Sequence, residues 1–192
     1  MMLEDGMLLF HGSYTPVEKI DLNKSSHGKD FGKGFYITSD VNQAKSFIRS
    51  VLYRAKQRKL IPNSQNYGFV SSFRFRHPHD ELSVYTFSDA NKEWLWFISS
   101  NRRSNLFSKV KHQVVDLSAS DIIIGKVAND NTNPVIATYL NGLYGDVLSD
   151  EAVDEAIKRL MPDHLVDQYC FLTQKAVECL EFQEVRKYVV SQ

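Results

Sequence analysis

Three short stretches carry the residues best suited to chemistry. In Leu8-Leu9-Phe10-His11-Gly12-Ser13 an apolar run ends on an imidazole, which can donate or accept a hydrogen bond. The glycine after it leaves a bare backbone that a ligand can approach. In Phe31-Gly32-Lys33-Gly34-Phe35-Tyr36-Ile37-Thr38 two glycines one residue apart precede an aromatic, β-branched run that puts Tyr36 in a strand. The third stretch, Asp167-Gln168-Tyr169-Cys170-Phe171-Leu172-Thr173, sets a neutral amide inside an apolar strand, where its polar atoms need partners. Each residue also has an ordinary structural reading: a loop-bonding histidine, a half-buried strand tyrosine, a solvated Lys33, a core amide that satisfies backbone groups.

Several other chemistries lack their signatures. Gly32-Lys33-Gly34 has no Gly-Lys-Ser/Thr ending and opens a strand rather than a helix, so it is not a phosphate loop. Gly-x-Ser-x-Gly is absent, which argues against a serine hydrolase of the common kind. His77-Pro78-His79 is a proline-split pair with no further ligand nearby and reads as a turn, so no metal is expected. Cys170 and Cys179, outside any CxxC or Cys/His grouping, read as buried free thiols of a reduced, cytosolic protein. The N-terminus has no basic segment leading into an apolar one, and no apolar run approaches membrane-spanning length. A soluble, unprocessed cytoplasmic chain is the expectation.

The elements that must position these residues follow from periodicity and caps. At 192 residues and 43% hydrophobic content the chain can bury a core and suits one domain over 1–192. Strands are expected at Met7–Phe10, Gly34–Thr38, Tyr67–Phe75, Leu82–Phe87, Val114–Leu117, Asp121–Val127, Leu165–Leu172 and Phe182–Val190. Tyr67–Phe75 alternates, with Gly68, Val70, Ser72 and Arg74 on a wetter face. Helices are expected from a Ser39 or Asp40 cap to Pro62-Asn63, over Asn91–Asn101 and Pro134–Leu140, from Ser149 to Pro162, and over Gln174–Leu180. Tyr14–Asp30, which includes His27 and Gly28, and Ala128–Asn133 read as loops. Strands and helices mixed without strict βαβ alternation indicate an α+β domain.

Lys plus Arg equals Asp plus Glu at 23 each, so net charge announces neither a nucleic-acid coat nor a membrane-surface protein. Its distribution is uneven. Val41 through His79 holds eight basic residues and no acid, whereas Gly145 through Glu184 holds ten acids against Lys158, Arg159 and Lys175. Such poles are either solvated faces that offset one another or an anion-binding surface.

Taken together, the three stretches resemble the three-part site of ADP-ribosyltransferases with a His-Tyr-Glu or His-Tyr-variable triad. More closely, the chain is similar to a bacterial family of small domains of uncharacterised function assigned to that superfold and often found in toxin–antitoxin settings. Phe10-His11-Gly12-Ser13, Asp30 through Thr38, Ile124-Gly125-Lys126-Val127-Ala128-Asn129-Asp130 and Asp167 through Thr173 carry the likeness, in the right order over nearly the whole chain. The resemblance implies two packed β-sheets, flanked by helices, with NAD as substrate in the cleft between them. It implies that His11 bonds ribose hydroxyls, that the Gly12 backbone clamps the nicotinamide carboxamide with Ser13 adding a bond, and that Tyr36, entered through Gly34 and Phe35, stacks on the ring. Gln168 would hold the nicotinamide-ribose 2′-hydroxyl.

Gln168 departs from the fullest form of that pattern. A glutamate can take a proton or stabilise a ribosyl cation, whereas an amide only orients, so polymer-building chemistry is disfavoured. Glu93, Asp130 or Asp167 could assist the acceptor, and Glu93 and Asp130 read equally as a helix-surface charge and a loop cap. The implied activity is mono-ADP-ribosyl transfer to a protein or nucleic acid, with an antitoxin as a further partner. A quiet NAD-binding or partner-binding module and an NAD glycohydrolase remain open beside it. For the acceptor, the acid-free stretch with Tyr53, Tyr67, Phe69, Phe73 and Phe75 interleaved suits either a nucleic-acid track or a core.

Overall fold

The computed structural model describes residues 2–26, 28–78, 81–126, 132–161 and 165–190. The expectations placed on His27, His79, Val127, Ala128–Asn131, including Asp130, and Pro162 lie outside the described residues. Elsewhere the chain is α+β, as expected, and its strands form one mixed seven-stranded sheet.

The strands are β1 (Leu8–Ser13), β2 (Phe35–Thr38), β3 (Tyr67–Phe75), β4 (Val84–Thr86), β5 (Ile122–Lys126), β6 (Asp167–Phe171) and β7 (Leu180–Val189), in the spatial order β4-β5-β6-β2-β1-β3-β7. Only β4 and β5 run parallel; the other neighbours are antiparallel. The sheet is divided almost in two. One Cα pair, Phe10 with Thr38, joins β2 to β1, whereas six pairs join β1 to β3 and four join β2 to β6. The expected separation into two sheets is therefore not seen among the described strands; a single bridge holds the two halves in one.

The halves bend toward each other over a shared core. Leu9, Phe35, Ile37, Phe73, Phe75, Ile122, Ile124, Tyr169 and Phe171 bury on the inner face. Phe75 of β3 and Phe171 of β6 stand three strand spacings apart, about 14 Å in a flat sheet, yet their rings are 6.3 Å apart. The outer faces are covered by helices. On the β2 side, α2 (Lys92–Arg102), α3 (Asn133–Leu140) and α4 (Asp150–Leu160) bury Trp94, Leu95, Ile98, Ile136, Tyr139, Val153 and Ala156 against Ile123 and Cys170. Asn91 and Ser149 cap α2 and α4 by accepting the N–H of Trp94 and Ala152 at 3.0 and 3.2 Å.

On the β1 side lies α1 (Val41–Gln57), capped by Asp40 on the Asn42 N–H at 2.8 Å. Its Ala44, Ile48, Leu52 and Ala55 recur at helical spacing and are buried against Val70. The face of β3 expected to be wetter is thus dry, with Val70 and Ser72 3–4% exposed, because α1 packs on it. The helix stops before Pro62-Asn63. Lys59 adopts φ 56°, and Leu60 and Lys59 N–H return to Ala55 O and Lys56 O at 2.9 Å, a Schellman ending with lysine where glycine is usual.

Two further boundaries differ from expectation. Val114–Leu117 is not a strand: a 3-10 segment over Ser104–Gln113 precedes it, and local turn bonds from Ser118 N–H to Asp116 and from Ser120 N–H to Leu117 O hold the chain there. The helix α5 (Gln174–Val177) is shorter than expected because Leu180 is already paired with Phe75 in the β3/β7 ladder.

Candidate active site

His11 does not end its strand. Two further residues of β1, Gly12 and Ser13, pair with β3 beyond it, as far as Ser13 with Phe69. What ends near His11 is the other ladder, and hydrogen-bond alternation shows what that exposes. The Phe75 N–H donates to Met7 O at 2.9 Å, so Met7, Leu9, His11 and Ser13 turn their backbone groups to β3, and Leu8, Phe10 and Gly12 turn theirs to β2. Likewise the Leu172 N–H on Asp121 O turns Cys170 and Gln168 to β5, which leaves Phe35 and Ile37 facing β6 and Tyr36 and Thr38 facing β1. Phe10 pairs with Thr38, but the next pair in this register, Gly12 with Tyr36, does not form. The backbones of Gly12 and Tyr36 therefore face each other without a ladder pair, and the Tyr36 carbonyl bonds the His11 ring instead.

His11 is wedged beside this β1–β2 seam. Its Nδ1 lies 2.7 Å from Tyr36 O; a carbonyl only accepts, so Nδ1 carries the proton. The ring packs on Phe35, with centroids 4.5 Å apart. Burial lowers its pKa to about 4, against the opposing bond to Tyr36 O and with a smaller push from the Lys29 charge. At neutral pH the imidazole is uncharged, and Nε2 presents a lone pair that suits a hydroxyl donor.

Tyr36 lies on the other face, opposite Cys170. Its hydroxyl donates to Gly32 O at 2.7 Å and accepts the Phe31 N–H at 2.9 Å, which pins the glycine loop to the strand. The Lys29 ammonium stands over its ring, 4.9 Å from the centroid. Burial raises the Tyr36 pKa and lowers that of Lys29. Burial also pushes the Cys170 thiol up to about 12, so it stays protonated and inert.

Gln168 is 7% exposed and pairs in register with Thr38 and Gly125. Its Nε2 donates to Lys126 O at 3.4 Å, a carbonyl shared with the Trp94 indole at 3.2 Å. As a diagonal cross-strand neighbour, Gln168 shares a face with Tyr36. The fold thus brings Tyr36 and Gln168 together on one face and sets His11 at the seam, touching Tyr36 through its carbonyl.

The remaining expected residues have structural duties of their own. A Cβ on Gly12 would fall 2.2 Å from Ala44 O, and one on Gly34 would fall 2.5 Å from Cys170 Sγ. Both positions demand glycine for packing alone. Phe35 belongs to the inner core, and Ser13 accepts the Thr15 N–H at 3.4 Å. Of the carboxylates, Asp167 pairs with Lys126 at 3.1 Å, and Glu93 lies exposed in the first turn of α2.

The residues missed in the sequence are those that hold the loop before Gly32. Asp30, 8% exposed, receives Arg102 Nη2 at 2.6 Å and Nε at 2.7 Å, while the Asn101 amide donates to Asp30 O at 2.7 Å. Ser25 Oγ donates to Gly34 O at 2.8 Å and accepts the Gly34 N–H at 3.1 Å. Asn101 and Arg102 come from a distant element, α2, and no local pattern announces their contact with Asp30.

The fold is α+β, and its bent sheet narrows to one bridge beside a neutral histidine. A family described as "Protein of unknown function (DUF3990)" matches residues 7–182, which span His11, Tyr36 and Gln168, and the chain belongs to that family. No curated protein matches it.

Proposed function

We propose that the protein is an NAD-dependent mono-ADP-ribosyltransferase acting on a macromolecule at the β1–β2 seam. The observation that carries this reading is the missing Gly12–Tyr36 bridge: it leaves the β2-facing backbone groups of Gly12 without a ladder partner, next to a neutral imidazole with Nε2 as acceptor. A carboxamide offers a donor and an acceptor that match one residue's C=O and N–H, and a ribose hydroxyl matches Nε2. The finer architecture, an ADP-ribosyltransferase-like fold, belongs to the same proposal; the bent sheet with its narrow join supports it.

In this reading the residues act by positioning. The bond from ribose C1′ to nicotinamide breaks with its electron pair leaving on the nicotinamide, and an acceptor lone pair forms the new bond to C1′. The acceptor's proton passes to solvent or to a nearby base. Gln168, uncharged, orients a hydroxyl but takes no proton. The bacterial-toxin role and an antitoxin partner rest on the family resemblance. A second reading, a quiet NAD-binding module, is favoured by Lys29, whose ammonium occupies the Tyr36 face on which the cationic nicotinamide ring would stack.

Incubation with adenylate-labelled NAD and cell lysate tests the proposal, with nicotinamide release and label transfer followed together. Transfer to a protease- or nuclease-sensitive fraction is expected, lost in Tyr36→Ala and altered in rate or products in Gln168→Glu. Intact NAD with no binding would overturn it. Binding without turnover would select the quiet module, and free ADP-ribose alone would select a glycohydrolase.

A further inference from the structure

We propose that the outward surface of α1 docks single-stranded nucleic acid. Lys45, Arg49, Tyr53 and Lys56 follow at intervals of four, four and three residues, so they form a stripe about 16 Å long beside the buried row of the helix. Tyr53 is 66% exposed, and the core does not require its ring. At the N-terminal end of the stripe Lys45 stands over the ring of Tyr188 on the adjoining β7, at 5.0 Å.

At the C-terminal end the stripe runs into an open depression of about 510 Å³ lined by Lys56, Lys59, Leu60, Ile61, Pro62 and Asn63. The sequence from Val41 through His79 contains no carboxylate, so the local charge of this surface is positive. Phosphates meet such a row of charges while bases stack on exposed rings. An acidic polypeptide would use the cations but leave the rings wet. A membrane surface would need a continuous apolar face, and the charged residues interrupt one here.

The stripe also begins beside the seam, because α1 follows β2 directly and the Ala44 carbonyl abuts Gly12. On the ADP-ribosyl transfer reading, a strand lying on α1 would be held next to the reactive ribose and would be the acceptor. That clause rests on the proposed function; the docking does not.

Fluorescence anisotropy of a short labelled oligonucleotide with the full chain tests the docking. Saturable binding that weakens as salt rises is expected. Tyr53→Ala should weaken it about tenfold, Arg49→Glu/Lys56→Glu should abolish it, and Lys158→Glu on α4 should leave it unchanged. No binding at low salt, or binding that survives both α1 variants, would overturn the proposal. So would equal affinity for polyglutamate with no effect of Tyr53→Ala, which would mark an acidic-protein surface. Docking with NAD left intact would count against the enzyme reading alone, and label transfer indifferent to the α1 variants would count against the docking alone.

Discussion

His11 illustrates how burial sets a residue's chemistry. Its pKa near 4 in the fold compares with 6.5 for the free group, so between those values the unfolded chain binds a proton that the folded chain refuses. Its contribution to stability is therefore complete above pH 6.5 and is lost as pH falls toward 4. An imidazole NMR titration should show His11 neutral down to about pH 4, with melting temperature falling over the same interval; a midpoint near 6.5 would show that the ring is not enclosed. Lys29 adds a second residue-scale expectation. Lys29→Met removes the cation over Tyr36 and should tighten NAD binding several-fold by calorimetry, because two cations no longer compete for one ring face. Unchanged affinity in a variant that still binds NAD would place the nicotinamide elsewhere.

Glycine 12 shows why an element, and not a residue, is the unit of interpretation. The resemblance assigns its bare backbone to a ligand, but α1 already requires it: Gly12→Ala would drive a Cβ to 2.2 Å from a helix carbonyl. Loss of about 3 kcal/mol or more is expected by denaturant unfolding, since backbone on both sides leaves little room to yield. Any loss of activity in that variant would report on packing first. The same element explains what was legible. The Asp40 cap and the apolar spacing of Ala44, Ile48, Leu52 and Ala55 specify α1 locally, whereas the dryness of the opposite β3 face depends on where α1 lands. The β-branched Val114 and Val115 suggested a strand over Val114–Leu117, but among the described residues no strand pairs with it, and local turns hold the chain there.

Across the whole molecule, the loop before Tyr36 is tied to the helical layer by one partly enclosed ion pair. The side chains of Arg102 and Asp30 are 20% and 11% exposed. Arg102→Met alone should cost about 3 kcal/mol by stranding the carboxylate, and Asp30→Asn/Arg102→Met together should cost much less. Equal losses in the single and double variants would mean that the pair does not couple loop to helix. Local patterning was enough to indicate the α+β class and most of the strands and helices, and to single out the three stretches that hold His11, Tyr36 and Gln168, because periodicity, caps and turn residues act over a few positions. Three other features were decided by the tertiary structure: the end of the β1–β2 ladder after a single pair, the placement of Lys29 over Tyr36, and the reach of Arg102 to Asp30. Each depends on groups far apart in the chain, brought together only when the sheet bends over its core and the helices close on its outer faces.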